Sequence, residues 1–203
     1  HMNPHFIFNS INSIQGFYAS GEVAMAKKYI GKFSTLLRLI LDQSKKDLID
    51  IHDERMTIEY YLDLNKLRFE NKFDYEIQID ESLLKSREEI PPMLIQPFIE
   101  NAIIHGLAPL KRMGKVIVRI IDDVHYIRCE VEDNGVGREF SRQLNKNKHF
   151  ESTGIKVTEK RIELYNNASL HSAQPTLKIE DVLDQDGNIA GTLVSFSLVK
   201  NSI

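Results

Sequence analysis

The sequence predicts an α+β chain: an N-terminal helical hairpin over residues 1–72, then a two-layer α/β sandwich with a mixed sheet over residues 73–203. Three observations carry this. Apolar residues recur at helical spacing up to about residue 70. From about Phe73 they alternate in short strand-like runs. The order in that second half is strand, helix, two strands, helix, two strands, which sets a helical layer on one face of the sheet.

In the first half, Asn3 can cap a helix, and Pro4 suits its first position because a missing N–H there would be unpaired anyway. The stretch "ASGE", Ala19 to Glu22, offers a polar break. In "AMAKKYIGKFSTLLRLIL" the residues Ile30, Phe33, Leu36, Leu37 and Ile40 recur at helical spacing. "DLIDIHDER" reads as a polar connector in which Asp50 or Asp53 can cap a helix over roughly Glu54 to Glu70. That helix carries Ile58, Tyr61, Leu62, Asn65 and Phe69 along one side. Two amphipathic helices alone bury little, so the economical arrangement is a hairpin that dimerises into a four-helix bundle. Packing against the second half of the chain is the alternative.

In the second half, "DYEIQID" alternates like a strand, and "PPMLIQPFIENAIIHGL" reads as a helix with prolines in its first turns. "KVIVRII" and "HYIRCEVE" form a hairpin turning at Asp122–Asp123. A polar stretch, Arg138 to Thr153, precedes a helix "IKVTEKRIELYNN". The strands "TLKIE" and "TLVSFSLV" close the chain through a turn at Asp186–Gly187. Internal repeats and low-complexity segments are absent.

The composition, 42% hydrophobic and 27% charged, is ordinary for a globular protein. A net charge of −3 with no cationic patch speaks against a nucleic-acid partner. The single cysteine, Cys129, excludes an internal disulfide framework and fits a reducing compartment; within "YIRCEVE" it reads as a small core side chain. No apolar run approaches the roughly 18–20 residues that span a bilayer. His1 and Met2 read as a cloning remnant, and the chain then begins inside a motif. The expectation is an excised cytoplasmic piece of a longer protein, attached to a membrane only through a missing N-terminal part.

Several chemistries are excluded by pattern. Gly114–Lys115 is followed by valine and is not a phosphate-binding P-loop, and zinc-ligand spacings are absent. The helix "FIENAIIHG" is more suggestive. Phe98, Ile99, Ala102 and Ile103 form its buried side, with Asn101 and His105 four apart on one face. Glu100 sits about 100° around from Asn101. An amide oxygen suits a hard cation such as Mg²⁺, which keeps several waters and takes phosphate oxygens as further ligands. A neighbouring carboxylate can polarise a water or an attacking group. The plainer alternative is an ordinary polar helix edge.

"VEDNGVG" follows at a strand end. Asp133 there can accept hydrogen bonds from a ligand donor such as an exocyclic amine, and Gly135 and Gly137 let the backbone take φ > 0 close to a ligand. A simple hairpin turn is the alternative, but no alternating strand follows it. In "AGTL", Thr192 opens a strand with a hydroxyl that can serve a ligand or the backbone. His5, in "NPHFIFNSINSI", lies on the first turn of the first helix.

Taken in this order, the stretches resemble the nucleotide-binding boxes of the GHKL superfamily. "PPMLIQPFIENAIIHG" is similar to its N box, "VEDNGVG" to its G1 box and "GTLVSFSL" to its closing strand. More narrowly, "NPHFIFNSINSI", "YLDLNKLRFENKF" and "IPPMLIQPFIENAIIHGL" resemble the LytS/YehU-like sensor histidine kinases, over essentially the whole chain from Asn3 onward. The resemblance implies a Bergerat-type ATP-binding fold and an ATP-dependent protein-histidine kinase using Mg²⁺. Asn101 would hold the metal, with Glu100 and His105 beside the triphosphate. Asp133 would accept the adenine amino group, Gly135 and Gly137 would shape the base pocket, and Thr192 would support Asp133. His5 would be the phosphoacceptor on a dimerising hairpin, passing its group to an aspartate of a response regulator. Neutral imidazole is a competent nucleophile near neutral pH.

The G2 segment departs from the family pattern. "STGIKVTEKRIEL" keeps Gly154 and Arg161, but Ser152 stands in place of a glycine and Val157 in place of an asparagine. Valine cannot hydrogen-bond a phosphate. The alternative function is therefore a catalytically impaired dimerisation and signalling module with a degenerate ATP lid. An ATPase of the gyrase or MutL type shares the pocket, but the helical half matches the kinase pattern.

Overall fold

The computed structural model describes residues 4–140, 153–167 and 177–200. Asn3 and Ser152 lie outside the described residues. So do the side chains of Pro4, His5 and Thr153, which are placed only as parts of their helices.

Three helices open the chain: α1 (Pro4–Ala19), α2 (Val23–Gln43) and α3 (Ile51–Arg68). The α1–α2 break falls at "ASGE" as expected, where Gly21 takes φ 78°. The buried face of α2 is Ala26, Tyr29, Leu36 and Ile40. Ile30 was expected in that stripe but is exposed, because the helix turns Tyr29 inward, where its ring meets Phe17 of α1 at 5.8 Å. The third helix starts earlier than its polar first turn suggests. Asp50 caps it, its carboxylate accepting from His52 N at 2.7 Å, so "IHDE" is helix rather than connector. Phe6 of α1 lies against Tyr61 of α3 with ring centroids 4.9 Å apart.

The main sheet has five strands in the order β2-β4-β5-β7-β6. These are β2 (Phe73–Ile79), β4 (Gly114–Asp123), β5 (Tyr126–Asp133), β6 (Lys178–Leu183) and β7 (Ile189–Val199). β2 runs parallel to β4 and the other pairs are antiparallel, so the sheet is mixed. Inward side chains alternate along each strand: Val116, Val118 and Ile120 on β4, Ile127, Cys129 and Val131 on β5, Val194, Phe196 and Leu198 on β7. The β4–β5 turn falls at Val124–His125, two residues beyond the expected Asp122–Asp123, because Asp123 still pairs with Tyr126. Lys200 closes this corner by an ion pair with Asp122.

Between β2 and β4 lie α4 (Glu81–Ser86), the short strand β3 (Glu89–Ile90) and α5 (Gln96–Asn101), which continues as a π-helical turn over Ala102–Leu107. Two expectations fail here. The prolines Pro91 and Pro92 are not in the helix but in a turn before it, because Pro97 can occupy only its first turn. And β3 pairs with β1 (Ile49–Asp50), a two-residue strand hidden inside the apparent connector. A final helix, α6 (Thr153–Asn167), lies on β7: Asn166 donates to Ser197 O at 2.9 Å and accepts from Val199 N at 2.8 Å. Phe98 of α5 meets Phe196 of β7 at 5.4 Å. The buried residues of helices and sheet form one continuous apolar cluster, so α5 and α6 are fixed on the inner face of the sheet, where the candidate residues lie.

Candidate functional site

Asp133 continues the inward-facing series Ile127, Cys129, Val131 on β5, so the strand's alternation delivers a carboxylate to a position that burial otherwise reserves for apolar groups. It is 6% exposed. Its Oδ1 accepts from Gly135 N at 2.8 Å, and the backbone amide of Thr192, its register partner on β7, also donates to the carboxyl. Burial pushes its pKa up to about 6, against the lowering effect of those two amides. A carboxylate offers about four acceptor sites, so two amides leave capacity for a ligand's N–H.

Glycine surrounds this carboxyl. A Cβ on Gly106, in the π-helical turn, would stand 2.7 Å from Asp133 Oδ1. A Cβ on Gly135 would stand 2.5 Å from the Gly106 carbonyl, and one on Gly191 would collide with the Asp133 backbone carbonyl. Gly137 takes φ 77° with Ile189 against its open side. The loop is pinned by Val136 N donating to Gly106 O at 3.1 Å. On its other flank Asn134 accepts from Lys115 N at 2.6 Å and Arg112 donates to Asn134 O at 2.6 Å. The stretch is therefore a loop docked on a helix end, as the lack of a following strand suggested.

The π-helical turn alters the expected spacing. Ala108 N donates to Ile103 O at 2.8 Å, five residues back, so each turn here takes more residues than in an α-helix. Asn101 is half-buried where the α-helical part ends, His105 is exposed, and Gly106 reaches the Asp133 carboxyl. Asn101 and Glu100 offer amide and carboxylate oxygens to a hard cation. Among the described residues no three His, Cys, Asp or Glu side chains gather into a metal cage. This donor set fits a Mg²⁺ ion that takes its other ligands from water and phosphate.

The remaining candidates are dispersed. Thr192 is half-buried beside Asp133, at register with it. Gly154 is exposed in the first turn of α6, with nothing within 4 Å of the place its Cβ would occupy. Arg161 turns to Pro92 O, at 2.8 Å, rather than toward the glycine cluster. Val157 is exposed on the same helix. His5 lies in the first turn of α1, its side chain outside the described residues. Gly106 and Gly191 carry no role in the sequence reading, although both stand in the quoted stretches. Their signal was a glycine at the end of an apolar helix and at a strand opening, which becomes a contact only when the sheet brings both to Asp133.

Comparison with known proteins bears on this arrangement. The family model described as histidine kinase matches residues 1–73. The chain is 29% identical over 206 aligned residues to the sensor protein LytS of Bacillus cereus, covering 98% of this chain and 33% of that protein. It is 33% identical over 136 residues to LytS of Bacillus subtilis, covering 67% of this chain and 22% of that protein. Among solved structures, histidine kinase ThkA in complex with response regulator protein TrrA superposes with a TM-score of 0.50 at 15% identity, over 97% of this chain and 59% of that one, a likeness of fold. The chain spans about a third or less of the length of these relatives. With LytS of Bacillus subtilis 33% identical over 67% of this chain, and the histidine kinase model matching its helical part, the chain belongs to the LytS-like sensor histidine kinases.

Proposed function

We propose that this chain is the catalytic core of a sensor histidine kinase, which moves the γ-phosphoryl group of ATP to His5 and from there to an aspartate of a response regulator. The observation that carries the reading is Asp133, a carboxyl buried at a strand end with acceptor capacity to spare and three glycines packed around it. Such a group recognises a planar ligand edge with an N–H donor, as the adenine amino group provides.

Asp133 accepts that amine, Gly135 and Gly137 leave room for the base, and Thr192 holds Asp133 through its backbone amide. Asn101 binds Mg²⁺, with Glu100 and His105 beside the triphosphate. Gly154 belongs to the phosphate end of the site through the first turn of α6, whereas Arg161 holds the Pro92 carbonyl and serves that end only indirectly, by fixing α6 against the turn before α5. Mg²⁺, when bound, neutralises phosphate charge, which is the main requirement of phosphoryl transfer besides positioning. His5 attacks as neutral imidazole.

The helical part, residues 1–72, is the dimerising and acceptor unit, and residues 73–203 bind the nucleotide. Exposed Phe8, Ile11 and Tyr18 on α1 support pairing of two copies through that helix. The complex of ThkA with TrrA supports a response regulator as partner. No helix among the described residues is long and apolar enough to cross a membrane. The chain acts as the cytoplasmic part of a longer sensor anchored in the cell membrane.

The test is incubation with Mg²⁺ and γ-labelled ATP. Protein label that is lost in acid, survives alkali and is absent from His5→Gln is the expected result. Nucleotide bound without any label would instead favour the signalling module with a degenerate lid.

A further inference from the structure

The turn ahead of α5 is held from two helices, α3 and α6. β1 pairs Ile49 with Ile90 and Asp50 with Glu89, and Ile51 N donates to Glu88 O at 3.1 Å, so the start of α3 is stitched to this segment. One turn into α3, Glu54 is 1% exposed. Its Oε2 accepts from Met93 N at 3.1 Å and its carboxyl also receives the Ile95 amide. Its Oε1 has no hydrogen-bond partner among the described residues. From α6, Arg161 donates to Pro92 O at 2.8 Å and attracts the Glu54 charge. Met93, which follows the peptide group that takes both holds, is in the left-handed region at φ 60°.

A buried carboxylate is a poor device for stability alone, because an apolar side chain of the same volume avoids the desolvation cost. What it supplies is direction: the Met93 and Ile95 amides are fixed relative to α3, and the Pro92 carbonyl, in the same peptide group as the Met93 amide, relative to α6. That turn runs straight into α5, which carries Glu100 and Asn101. The other end of the relation is also on α3, where Tyr61, two turns along from Glu54, packs on Phe6, the neighbour of His5.

We infer that Glu54 is a positioning residue for phosphoryl transfer: with Arg161 it clamps the Pro91–Ile95 turn, so that α3 sets where Glu100 and Asn101 stand relative to the acceptor helix α1. The role rests on the kinase reading above. The clamp is present when Glu54 is ionised. The titratable and charged groups facing it are Arg161 from α6 and Cys129 from β5, with Lys46 and Asp47 lining the adjoining cavity beside Pro92, Met93 and Arg161.

The experiment compares Glu54→Gln with the unchanged chain, reading the initial rate of protein labelling at saturating Mg-ATP and the ATP affinity from pH 6 to 8. Glutamine keeps the shape and one acceptor for Met93 N but carries no charge. The expected ratio of variant to unchanged rate is near one at pH 6, where both side chains are neutral, and falls about tenfold by pH 8. The ATP dissociation constant changes less than about threefold. Taking the ratio cancels the titrations of His5 and Asp133, which both proteins share. A pH-independent ratio, or affinity and rate falling together, overturns the inference. Hydrogen exchange at the Met93 and Ile95 amides is the second measurement, expected about tenfold faster in Glu54→Gln at pH 8; unchanged exchange also overturns it. If the unchanged chain takes up no label, the kinase reading falls and the role in transfer with it, while the exchange rates still decide whether the clamp exists.

Discussion

The backbone amide of Val136 donates to the carbonyl of Gly106 at 3.1 Å, joining the loop after β5 to the π-helical turn that follows α5. Beside the apolar packing of Phe98, Ala102 and Ile103, this bond ties the helix bearing Glu100 and Asn101 to the end of the strand bearing Asp133. Close approach is possible because neither Gly106 nor Gly135 has a side chain.

Gly106→Ala is expected to separate them. The new methyl would stand 2.7 Å from Asp133 Oδ1, so carboxyl or helix must move. Overpacking of this kind costs about 1–3 kcal/mol, and adenine nucleotide binding should fall with it. Gly31→Ala, on α2 with open space around it, should raise stability by about 0.5–1 kcal/mol. Urea denaturation of both, with nucleotide titration of the first, reads the contrast.

Asp133→Asn keeps the shape and replaces an ionised acceptor by an amide. A hydrogen bond to a charged group contributes about 1.5–3 kcal/mol, so nucleotide affinity should drop by at least tenfold. Calorimetric titration measures it, with unchanged circular dichroism showing that the fold survives.

Nucleotide affinity should itself depend on pH through Asp133. Burial raises its carboxyl from 3.8 to about 6, so the accepting carboxylate is fully formed above roughly pH 7 and is lost as pH falls through 6. Affinity measured from pH 7.5 to 5 should decline, and the decline should be absent in Asp133→Asn. A flat profile in the unchanged chain would remove Asp133 from the binding role.

Stability should run the other way through Glu54. Burial raises its folded pKa from 4.5 to about 7, so between those values the folded chain holds more protons than the unfolded one. Its contribution is most favourable at or below pH 4.5 and declines as pH rises to 7, by about 2–3 kcal/mol at most. Unfolding free energies of the unchanged chain and Glu54→Gln should converge at low pH, and the difference should shift in favour of the glutamine variant as pH rises.

Asp50→Ala removes the cap of α3, whose carboxylate accepts from His52 N at 2.7 Å. A loss of about 1 kcal/mol is expected, visible as a lower thermal midpoint.

Much of this was legible along the chain. The alternation in "YIRCEVE" marked a strand with Cys129 as a core side chain and put Asp133 at its end, and "ASGE" marked the α1–α2 break. Other features were hidden. Ile49–Asp50 looks like connector because a two-residue strand has no period of its own; it exists only through its pairing with Glu89–Ile90. The π-helical turn was equally silent, since its five-residue hydrogen-bond step has no counterpart in the apolar spacing of "FIENAIIHGL".

By itself the sequence determined the long helices and the main strands, the sheet-facing period and the set of chemical groups, because these depend on local spacing and residue type. The tertiary structure alone decided which of those groups share a site. It gathered Gly106, Asp133, Gly135 and Gly191 from three separate segments, turned Arg161 to Pro92, and buried Glu54 against Met93 although its sequence neighbours His52, Asp53 and Arg55 are charged or polar. The physical reason is that burial and hydrogen-bond partnership are properties of packing between distant segments. A carboxylate in a polar stretch gives no local sign that it will leave water.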